Sequence, residues 1–278
     1  MPLPAWLKVK TKELHTTKSF LRKYKLHSVC EETRCPNQSY CFNKPTTAFM
    51  ILGDSCSRDC AFCAISHGNL KKPDPDEPKR IAHAVKEMGL RYVVITSATR
   101  DDLVDGGASH FAETIKAIKS LTNTKVEVLT PDFKGSFDSL KTVIDAQPHV
   151  FNHNLETVQR LYPYVRAQFD YKLSLDVLKN AKTINPDLNI KSGFMLGLGE
   201  NIQEVETLLN DLKIAGCDIV TIGQYLRPSK RNIPVKEYVN PDTFEMIKNK
   251  AQEIGFKFVA CAPLVRSSMN AEEIFENI

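Results

Sequence analysis

Short β-rich segments alternate with amphipathic helical segments along most of this 278-residue chain, and this alternation limits its fold more than any other feature. Such βα repetition favours a parallel sheet with helices packed outside it, an α/β fold. Several helical segments end at a glycine that can close a helix, as at Gly89, Gly216 and Gly255. Strands are predicted at residues 46–52, 91–97, 125–131, 149–155, 189–196, 218–226 and 256–264, and helices at 78–88, 108–121, 137–146, 202–215 and 241–254.

The composition is that of an ordinary globular protein. Hydrophobic residues make up 42% and charged residues 25%, and the length allows one large core in one domain. No segment approaches the ~20 consecutive apolar residues that a membrane span needs. The first residues, Met-Pro-Leu-Pro-Ala-Trp-Leu, contain no hydrophobic signal-peptide core. We therefore expect a cytoplasmic protein without a membrane partner.

Six of the eight cysteines are concentrated in two triplets. In a chain that shows no secretion signal, clustered thiols are more typical of metal ligands than of disulfides. A cluster that needs four ligands would keep one iron open if it were held by three thiolates. Structural zinc is the alternative, although zinc sites normally use four ligands in Cys-x2-Cys pairs. Spacing alone does not decide between the metals. The triplets are Cys30, Cys35 and Cys41, then Cys56, Cys60 and Cys63.

The segment Cys-Ser-Arg-Asp-Cys-Ala-Phe-Cys, from Cys56 to Cys63, follows a predicted strand and resembles the signature loop of radical S-adenosylmethionine enzymes. Phe62, the aromatic residue before the last cysteine, fits that pattern. The resemblance implies a 4Fe–4S cluster whose open iron is chelated by S-adenosylmethionine. It also implies reductive cleavage of the sulfonium to a 5′-deoxyadenosyl radical, which abstracts hydrogen from unactivated carbon. The loop does not specify the substrate.

The first triplet, Cys30-x4-Cys35-x5-Cys41, resembles the auxiliary-cluster motif of one family in that superfamily, the lipoyl synthases. This spacing is far more specific than the signature loop. Further segments that match the family pattern lie at residues 100–111, 151–156, 192–200 and 223–229. The resemblance therefore covers nearly the whole chain.

A C-terminal Arg-Ser-Ser sequence ending at Ser268 also matches that family. The resemblance implies that Ser268 completes the auxiliary cluster. A serine oxygen is a harder and weaker partner for iron than a thiolate, which fits a cluster that is taken apart to donate its sulfur. The chain departs from the family pattern at Met269, where an aromatic Tyr is usual. Methionine can fill the same space but cannot donate a phenolic hydrogen bond.

Membership of this family implies a sulfurtransferase that inserts sulfur at C6 and C8 of an octanoyl chain amide-linked to a lysine of a carrier protein. Two S-adenosylmethionine molecules are consumed per product. For the cofactor contacts, a purely structural role is the alternative. The predicted catalytic residues are Cys56, Cys60, Cys63 and Ser268; the metal ligands are Cys30, Cys35, Cys41 and Ser268 for one cluster and Cys56, Cys60 and Cys63 for the other; and the cofactor contacts are Phe62, Thr96, Ser97, Asn154, Glu156 and Arg166.

The resemblance also implies the architecture, an open partial (β/α)6 barrel of TIM type with extensions at both ends that carry the auxiliary cluster. We expect residues 1–45 to carry the first triplet, residues 46–264 to form the barrel and residues 265–278 to carry the serine ligand. Functional residues of such barrels lie at the C-terminal ends of the strands. Thr96 and Ser97 end the second predicted strand, which is why we place them at the cofactor.

Partners follow from charge and from the resemblance. The net charge is only +4, and no nucleic-acid-binding motif accompanies it, so a nucleic acid is not expected. The family implies an acidic, octanoylated lipoyl carrier protein or domain, an electron donor such as flavodoxin or ferredoxin, and a cluster-delivery protein. A basic N-terminal segment is either simply solvated or steers an acidic partner; it contains Lys8, Lys10, Lys12, Lys18, Arg22, Lys23 and Lys25 against Glu13.

Two other functions compete with this interpretation. A methylthiotransferase would also carry two clusters, but it would not share the first triplet's spacing or the Arg-Ser-Ser sequence. A non-catalytic metal-binding module would hold zinc and would not cleave S-adenosylmethionine. Cys217 and Cys261 are predicted to be structural, with a cluster-ligand role for Cys261 as the alternative. Gln224 and Arg227 either line a substrate channel or only close a strand.

Overall fold

The computed structural model describes residues 2–9 and 15–277. In these ranges, ten strands and eleven α-helices follow one another along the chain. The strands are β1 His27–Ser28, β2 Thr46–Ile51, β3 Ser55–Cys56, β4 Ser66–His67, β5 Tyr92–Ser97, β6 Lys125–Leu129, β7 Val150–Asn152, β8 Asn189–Leu196, β9 Ile219–Gln224 and β10 Phe258–Cys261. The helices are α1 His15–Tyr24, α2 Val29–Glu32, α3 Gln38–Cys41, α4 Glu77–Glu87, α5 Ala108–Leu121, α6 Phe137–Asp145, α7 Tyr162–Val165, α8 Tyr171–Ile184, α9 Ile202–Ile214, α10 Pro241–Ile254 and α11 Ala271–Glu276.

Eight strands form one sheet in the order β1-β2-β5-β6-β7-β8-β9-β10. Every neighbouring pair from β2 to β10 is parallel, and β1 adds to the edge of β2 in the antiparallel direction, with His27 opposite Met50. The sheet stays open because β1 and β10 are its two edges. The predicted α/β class and the open, partial barrel are confirmed.

All seven predicted strands occur, although most are shorter than predicted. Strand β8 and helices α5 and α10 have the predicted bounds. The largest differences are β10, predicted at 256–264 and observed at Phe258–Cys261, and β7, predicted at 149–155 and observed at Val150–Asn152. The chain leaves the ladder after Asn152 and turns at Glu156, whose φ of 66° is a left-handed conformation. Helix α8 was not predicted; Asp170 caps it by accepting a hydrogen bond from Leu173 N at 2.7 Å.

The core has two sides because side chains alternate across each strand. In β5, Val93 and Ile95 pack against the outer helices. Tyr92 and Val94 face the other way and pack with Ala271 of α11, which is 1% exposed. A second hydrophobic cluster on this inner side packs Ile274 of that helix against Val150 of β7 and Ile219 of β9. Helix α11 therefore covers the inner face of the sheet, opposite the C-terminal strand ends.

Among the described residues, no helix combines the length and the apolar character that crossing a membrane requires.

Candidate active site

A cavity of about 590 Å³ opens at the C-terminal ends of the parallel strands. Most of the predicted site residues line it. Cys41 is the exception: it lies at the end of α3, behind the wall of the cavity. The predicted residues that line the cavity are Cys30, Cys35, Cys56, Cys60, Phe62, Cys63, Thr96, Ser97, Asn154, Glu156, Arg166 and Ser268.

The second triplet sits on a loop that neighbouring segments hold in place. The loop starts at Leu52 and Gly53, both with positive φ, directly after β2. Ser57 N donates to Thr99 O at 2.9 Å. Asn232 donates from Nδ2 to Cys63 O at 2.6 Å. Because these partners come from distant parts of the chain, the loop is fixed by the fold and not only by its own sequence.

Arg58 fixes the same loop from inside, and its role was not predicted. It is 6% exposed. Its guanidinium forms two-point ion pairs with Asp101, at 2.7 and 2.9 Å, and with Asp132, at the same two distances. Burial works against its charge, but the hydrogen bonds to the two aspartates outweigh burial and raise the pKa of Arg58. A buried cation with two carboxylates is a strong structural restraint on the loop between Cys56 and Cys60.

The first triplet lies on two short helices before β2, with Cys30 in α2, Cys41 in α3 and Cys35 in the turn between them. Ser28 caps α2 by accepting a hydrogen bond from Cys30 N. Cys35 N donates to Cys30 O at 3.0 Å, which closes the first part of the motif into a turn. Asn37 N-caps α3 and, through Nδ2, donates to Leu264 O at 2.6 Å. The motif is thereby tied to the C-terminal segment.

The Arg-Ser-Ser segment reaches the cavity beside the first triplet. Ser267 Oγ accepts a hydrogen bond from Asn154 Nδ2 at 2.9 Å, and Ser268 lines the cavity next to it. Burial lowers the pKa of Arg266, and the thiols of Cys35 and Cys41 act on it in the opposite direction, so this cation faces the first triplet. Positive charge there favours thiolates.

Met269 takes part in the same arrangement. Asn37 Nδ2 donates to Met269 Sδ at 3.4 Å. Asn37 is 2% exposed, so its amide needs partners inside the protein. The methionine that replaces the family's usual Tyr therefore accepts a hydrogen bond from the first triplet's own segment. The departure changes the hydrogen-bond chemistry but keeps the C-terminal segment against Cys35.

Asn154, Glu156 and Arg166 form a connected polar group in the cavity wall. Asn154 Nδ2 donates to Glu156 Oε1 at 3.0 Å. Arg166 Nη1 donates to the carbonyl oxygens of Asn154 and Leu155, both at 3.0 Å. Burial raises the pKa of Glu156, while Arg166 acts to lower it. A hydrogen-bonded amide, a carboxyl and a guanidinium lie together there, and their role as cofactor contacts stays a prediction.

Several buried polar atoms in the cavity wall have no partner within the described residues. Thr96 is not one of them, because its hydroxyl donates to Leu129 O at 2.9 Å. Buried polar groups are normally hydrogen-bonded, so unpaired ones around a cavity fit a polar ligand. The unpaired atoms that line it are Ser97 Oγ, Thr130 Oγ1, His153 Nε2 and Arg166 Nε.

Within residues 2–9 and 15–277, no three His, Cys, Asp or Glu side chains converge as ligands of a single metal ion would. In a four-iron cluster each cysteine binds a different iron, so its ligands lie further apart. The thiols of each triplet nevertheless interact electrostatically. Cys56 and Cys63 both act on the pKa of Cys60, and Cys35 acts on that of Cys41. The donor set of three soft thiolates per site fits iron–sulfur clusters.

The other candidates have structural partners. Gln224 donates from Nε2 to Leu196 O, Tyr225 O and Glu237 O, as a strand-end role requires, and both Gln224 and Arg227 also line the cavity. Arg227 likewise donates to Asn232 O at 2.7 Å. Cys261 is buried and its thiol donates to Phe244 O at 3.2 Å, outside the cavity lining. Cys217 is also buried, so both leftover cysteines have the predicted structural environment.

Part of the basic N-terminal segment is neutralised within the chain. Arg22 pairs with Glu31 at 2.9 Å, and Lys23 pairs with Glu87. Lys10, Lys12 and Glu13 lie outside the described residues. The paired side chains are thereby less available for steering an acidic partner than their number in the sequence suggests.

The thiols of the metal-free triplets differ in acidity. A hydrogen bond from Cys30, and the charge of Arg266, lower the pKa of Cys35 to about 6. Burial raises the pKa of Cys60 to about 12 and that of Cys63 to about 11. Since ligands must lose their protons to bind metal, loading the second triplet releases protons near neutral pH.

We expect the metal-free protein to show this difference in alkylation by iodoacetamide, because the thiolate is the reactive form. The rate at Cys35 should reach half its maximum near pH 6, the pKa that its surroundings set. Cys60 and Cys63 should stay almost unreactive at pH 7. Peptide mapping by mass spectrometry measures each site. Cys30→Ala is the matched control, because it removes the hydrogen bond and should raise the pH of half-maximal alkylation at Cys35. A wild-type midpoint near the ordinary thiol pKa of about 8.5 would contradict the lowered pKa of Cys35.

Comparison with known proteins agrees with this geometry. Residues 50–212 match the family described as the Radical SAM superfamily. A solved structure of SuiB from Streptococcus suis bound to S-adenosylmethionine superposes with a TM-score of 0.63 at 12% identity, over 91% of this chain and 57% of that chain. Methylornithine synthase superposes with a TM-score of 0.58 at 14% identity, over 90% of this chain and 82% of that one. At such identities these likenesses show the fold alone.

Sequence relatives are much closer. A lipoyl synthase of Caldicellulosiruptor bescii is 54% identical over 282 aligned residues, which cover 99% of this chain and 97% of the relative. A lipoyl synthase of Alkaliphilus metalliredigens is 51% identical over 277 residues, which cover 98% and 96%. The similarity thus includes both triplets and the C-terminal Arg-Ser-Ser segment. The chain belongs to the lipoyl synthases, within the radical S-adenosylmethionine superfamily.

Proposed function

We propose that this chain is a sulfurtransferase that inserts two sulfur atoms, at C6 and C8 of a protein-bound N6-octanoyl-lysine, to give lipoyl-lysine. The observation that carries the proposal is that residues of both cysteine triplets and Ser268 line one cavity. An enzyme that breaks a C–H bond and delivers sulfur to the same carbon needs both functions within reach of one substrate chain. The family supplies the substrate class.

Two 4Fe–4S clusters and S-adenosylmethionine fit the residues present. When bound, they supply radical generation and the inserted sulfur. The chain contributes the ligands and their placement. For the radical cluster the ligands are Cys56, Cys60 and Cys63, and for the auxiliary, sacrificial cluster they are Cys30, Cys35, Cys41 and Ser268.

The polar wall of the cavity binds S-adenosylmethionine in this proposal. Arg166 carries an unpaired, buried Nε donor that suits a carboxylate. Ser97 Oγ is likewise unpaired, whereas the Thr96 hydroxyl already donates to Leu129 O, so Ser97 is the better ligand of the two. Asn154 and Glu156 offer an amide and a carboxyl to ribose or amine groups, and Phe62 offers an aromatic face.

An apolar part of the wall suits an octanoyl chain. Met50, Ile65, Val94 and Phe194 line the cavity beside the polar residues. An apolar wall holds the target carbons without occupying the polar groups that bind S-adenosylmethionine. It also excludes water. In this arrangement, the described residues of the first triplet's segment and residues 265–268 close the auxiliary site at the C-terminal ends of the barrel strands.

The substrate is an octanoylated lipoyl carrier protein or domain, as the family implies. Reductive cleavage needs a one-electron donor, for which we propose a flavodoxin or ferredoxin. A sacrificed cluster needs replacement, for which we propose a cluster-delivery protein. Thiol ligands that must stay reduced suit the cytoplasm, where we place the reaction.

Mass spectrometry of an octanoyl-lysyl peptide tests the proposal. The peptide is incubated without oxygen with reconstituted protein, S-adenosylmethionine and a strong reductant. We expect two sulfur atoms to be gained per peptide. An unchanged peptide together with free 5′-deoxyadenosine would retain the radical chemistry and refute the substrate. Absence of 5′-deoxyadenosine from a cluster-loaded protein would refute the reaction class.

A further inference from the structure

The cysteine loop and the turn at residues 165–169 are joined by hydrogen bonds. Ala61 N donates to Val165 O at 3.1 Å. Asp59 N donates to Gln168 Oε1 at 2.6 Å. Both donors lie between the first and last cysteines of the second triplet, and both acceptors flank Arg166. A displacement of the loop therefore displaces the segment that carries this arginine.

The ring of Phe169 joins the same two segments through their side chains. The guanidinium carbon of Arg58 lies 4.1 Å from the ring centroid, and that of Arg166 lies 3.9 Å from it. The one ring therefore contacts both guanidinium groups. Each face of an aromatic ring attracts a cation, and partial burial strengthens the attraction. Phe169 also lines the cavity.

The charges explain why two cations can lie so close together. Arg58 pairs with both Asp101 and Asp132, and Asp101 also lies 3.9 Å from the Nζ of the exposed Lys134, so the charge of Arg58 is neutralised locally. Arg166 is 4% exposed and forms no ion pair with any residue that the structure describes. Glu156 lies near enough to interact with its charge. Neutralisation of Arg58 by its two aspartates thus reduces the repulsion between the two guanidinium groups.

We propose that Phe169 and Arg58 are positioning residues that orient the Arg166 guanidinium toward S-adenosylmethionine. This inference rests on the proposed function. Arg166 donates from Nη1 to Asn154 O, Leu155 O and the Tyr162 hydroxyl. Its Nε donor has no partner in the described part of the chain and is available to a ligand. The stack fixes the plane of the guanidinium, which decides where Nε points. One side-chain stack thereby fixes the position of both the loop that holds one cluster and the residue that receives the cofactor.

Equilibrium dialysis of S-adenosylmethionine against the cluster-loaded protein tests this inference, with iron content and Tm measured in parallel. Phe169→Leu keeps apolar volume and removes the ring; we expect affinity to fall about tenfold, the effect of losing a partly buried cation–π contact, with iron content unchanged. Phe169→Tyr keeps the ring and should bind within about twofold of wild type. Rescue by the aromatic variant separates orientation of Arg166 from general packing.

Arg58→Lys tests the other cation that contacts the Phe169 ring, because lysine keeps the charge and loses the planar guanidinium. We expect weaker cofactor binding than wild type. Arg160→Lys is the matched control: Arg160 also makes a two-point ion pair, with Glu204 at 2.6 and 2.9 Å, but on the surface. It should bind the cofactor as wild type does.

Two results would overturn the inference alone: wild-type affinity in Phe169→Leu, or equal losses in Phe169→Leu and Phe169→Tyr. Loss of affinity that follows loss of iron would also overturn it, since the ring would then act on the cluster loop and not on Arg166. Wild-type protein that carries iron but binds no S-adenosylmethionine would overturn the proposed function and this inference with it.

Discussion

Cys56→Ala is expected to abolish cleavage of S-adenosylmethionine, whereas Cys35→Ala should leave cleavage measurable and eliminate sulfur insertion. The two cysteines lie on separate segments, one after β2 and one between α2 and α3. Each belongs to a different triplet of thiols, so each removal should empty one cluster site and spare the other. The measurement is 5′-deoxyadenosine and sulfurated octanoyl-lysyl peptide from the same anaerobic reaction, with iron per chain for each variant.

Cys261→Ala provides the control for cysteine loss as such. Its thiol is buried, donates to Phe244 O and lies outside the cavity lining, so both products should be retained. Equal loss of 5′-deoxyadenosine in Cys56→Ala and Cys35→Ala would show that the two triplets do not divide the chemistry. Loss of sulfur insertion in Cys261→Ala would instead return this cysteine to the list of candidate ligands.

The elements that the sequence predicted best are those whose signals are local. Helix α5 and helix α10 show a continuous apolar face, and α10 ends at Gly255 with a φ of 94°. Strand β8 carries a β-rich run that continues through Gly193 and ends before Gly197, whose φ of 94° is left-handed. In each case the pattern that predicts the element also ends it, so the bounds agree with the structure.

Helix α8 was missed although its sequence carries a signal. Asp170 is a favourable N-cap, and Val177, Leu178 and Ala181 give the helical spacing of a buried face. Strand β7 was predicted too long for a different reason. His153 lies beyond the ladder, where its ring Nδ1 donates to Thr130 O at 2.9 Å and the residue lines the cavity. The strand ends where the chain turns toward Glu156, whose φ of 66° no local sequence pattern predicts.

The cysteines could be predicted because their chemistry is a property of the residue type. The partners that hold their loop could not, since Asp101 and Asp132 follow Arg58 by 43 and 74 residues. Only the packing of β5 and β6 beside β2 brings these side chains together. The same holds for Asn37 and Met269, which are 232 residues apart. Such contacts follow from the complete barrel and not from any local pattern.

Glu127→Gln should destabilise the fold by about 3–5 kcal/mol, the usual cost of removing one partner of a buried ion pair. Lys191 is 0% and Glu127 1% exposed in their side chains, and Lys191 Nζ lies 2.8 and 3.1 Å from the two carboxylate oxygens. Tyr92 also donates to Glu127, at 2.8 Å. The variant keeps the shape but leaves the lysine charge without its counter-ion. Thermal unfolding of the metal-free protein should show a Tm lower by roughly 10 °C.

Two further variants separate the unpaired charge from other causes. Lys141→Met breaks an exposed i,i+4 pair with Asp145 at 2.5 Å and should leave the Tm almost unchanged, because surface pairs contribute little. The double variant Glu127→Leu with Lys191→Met removes both charges and should recover part of the loss. If the double variant is less stable than Glu127→Gln, the pair stabilises the inner sheet through its hydrogen bonds to Tyr92 and Asn152, and the unpaired charge is not the main cost.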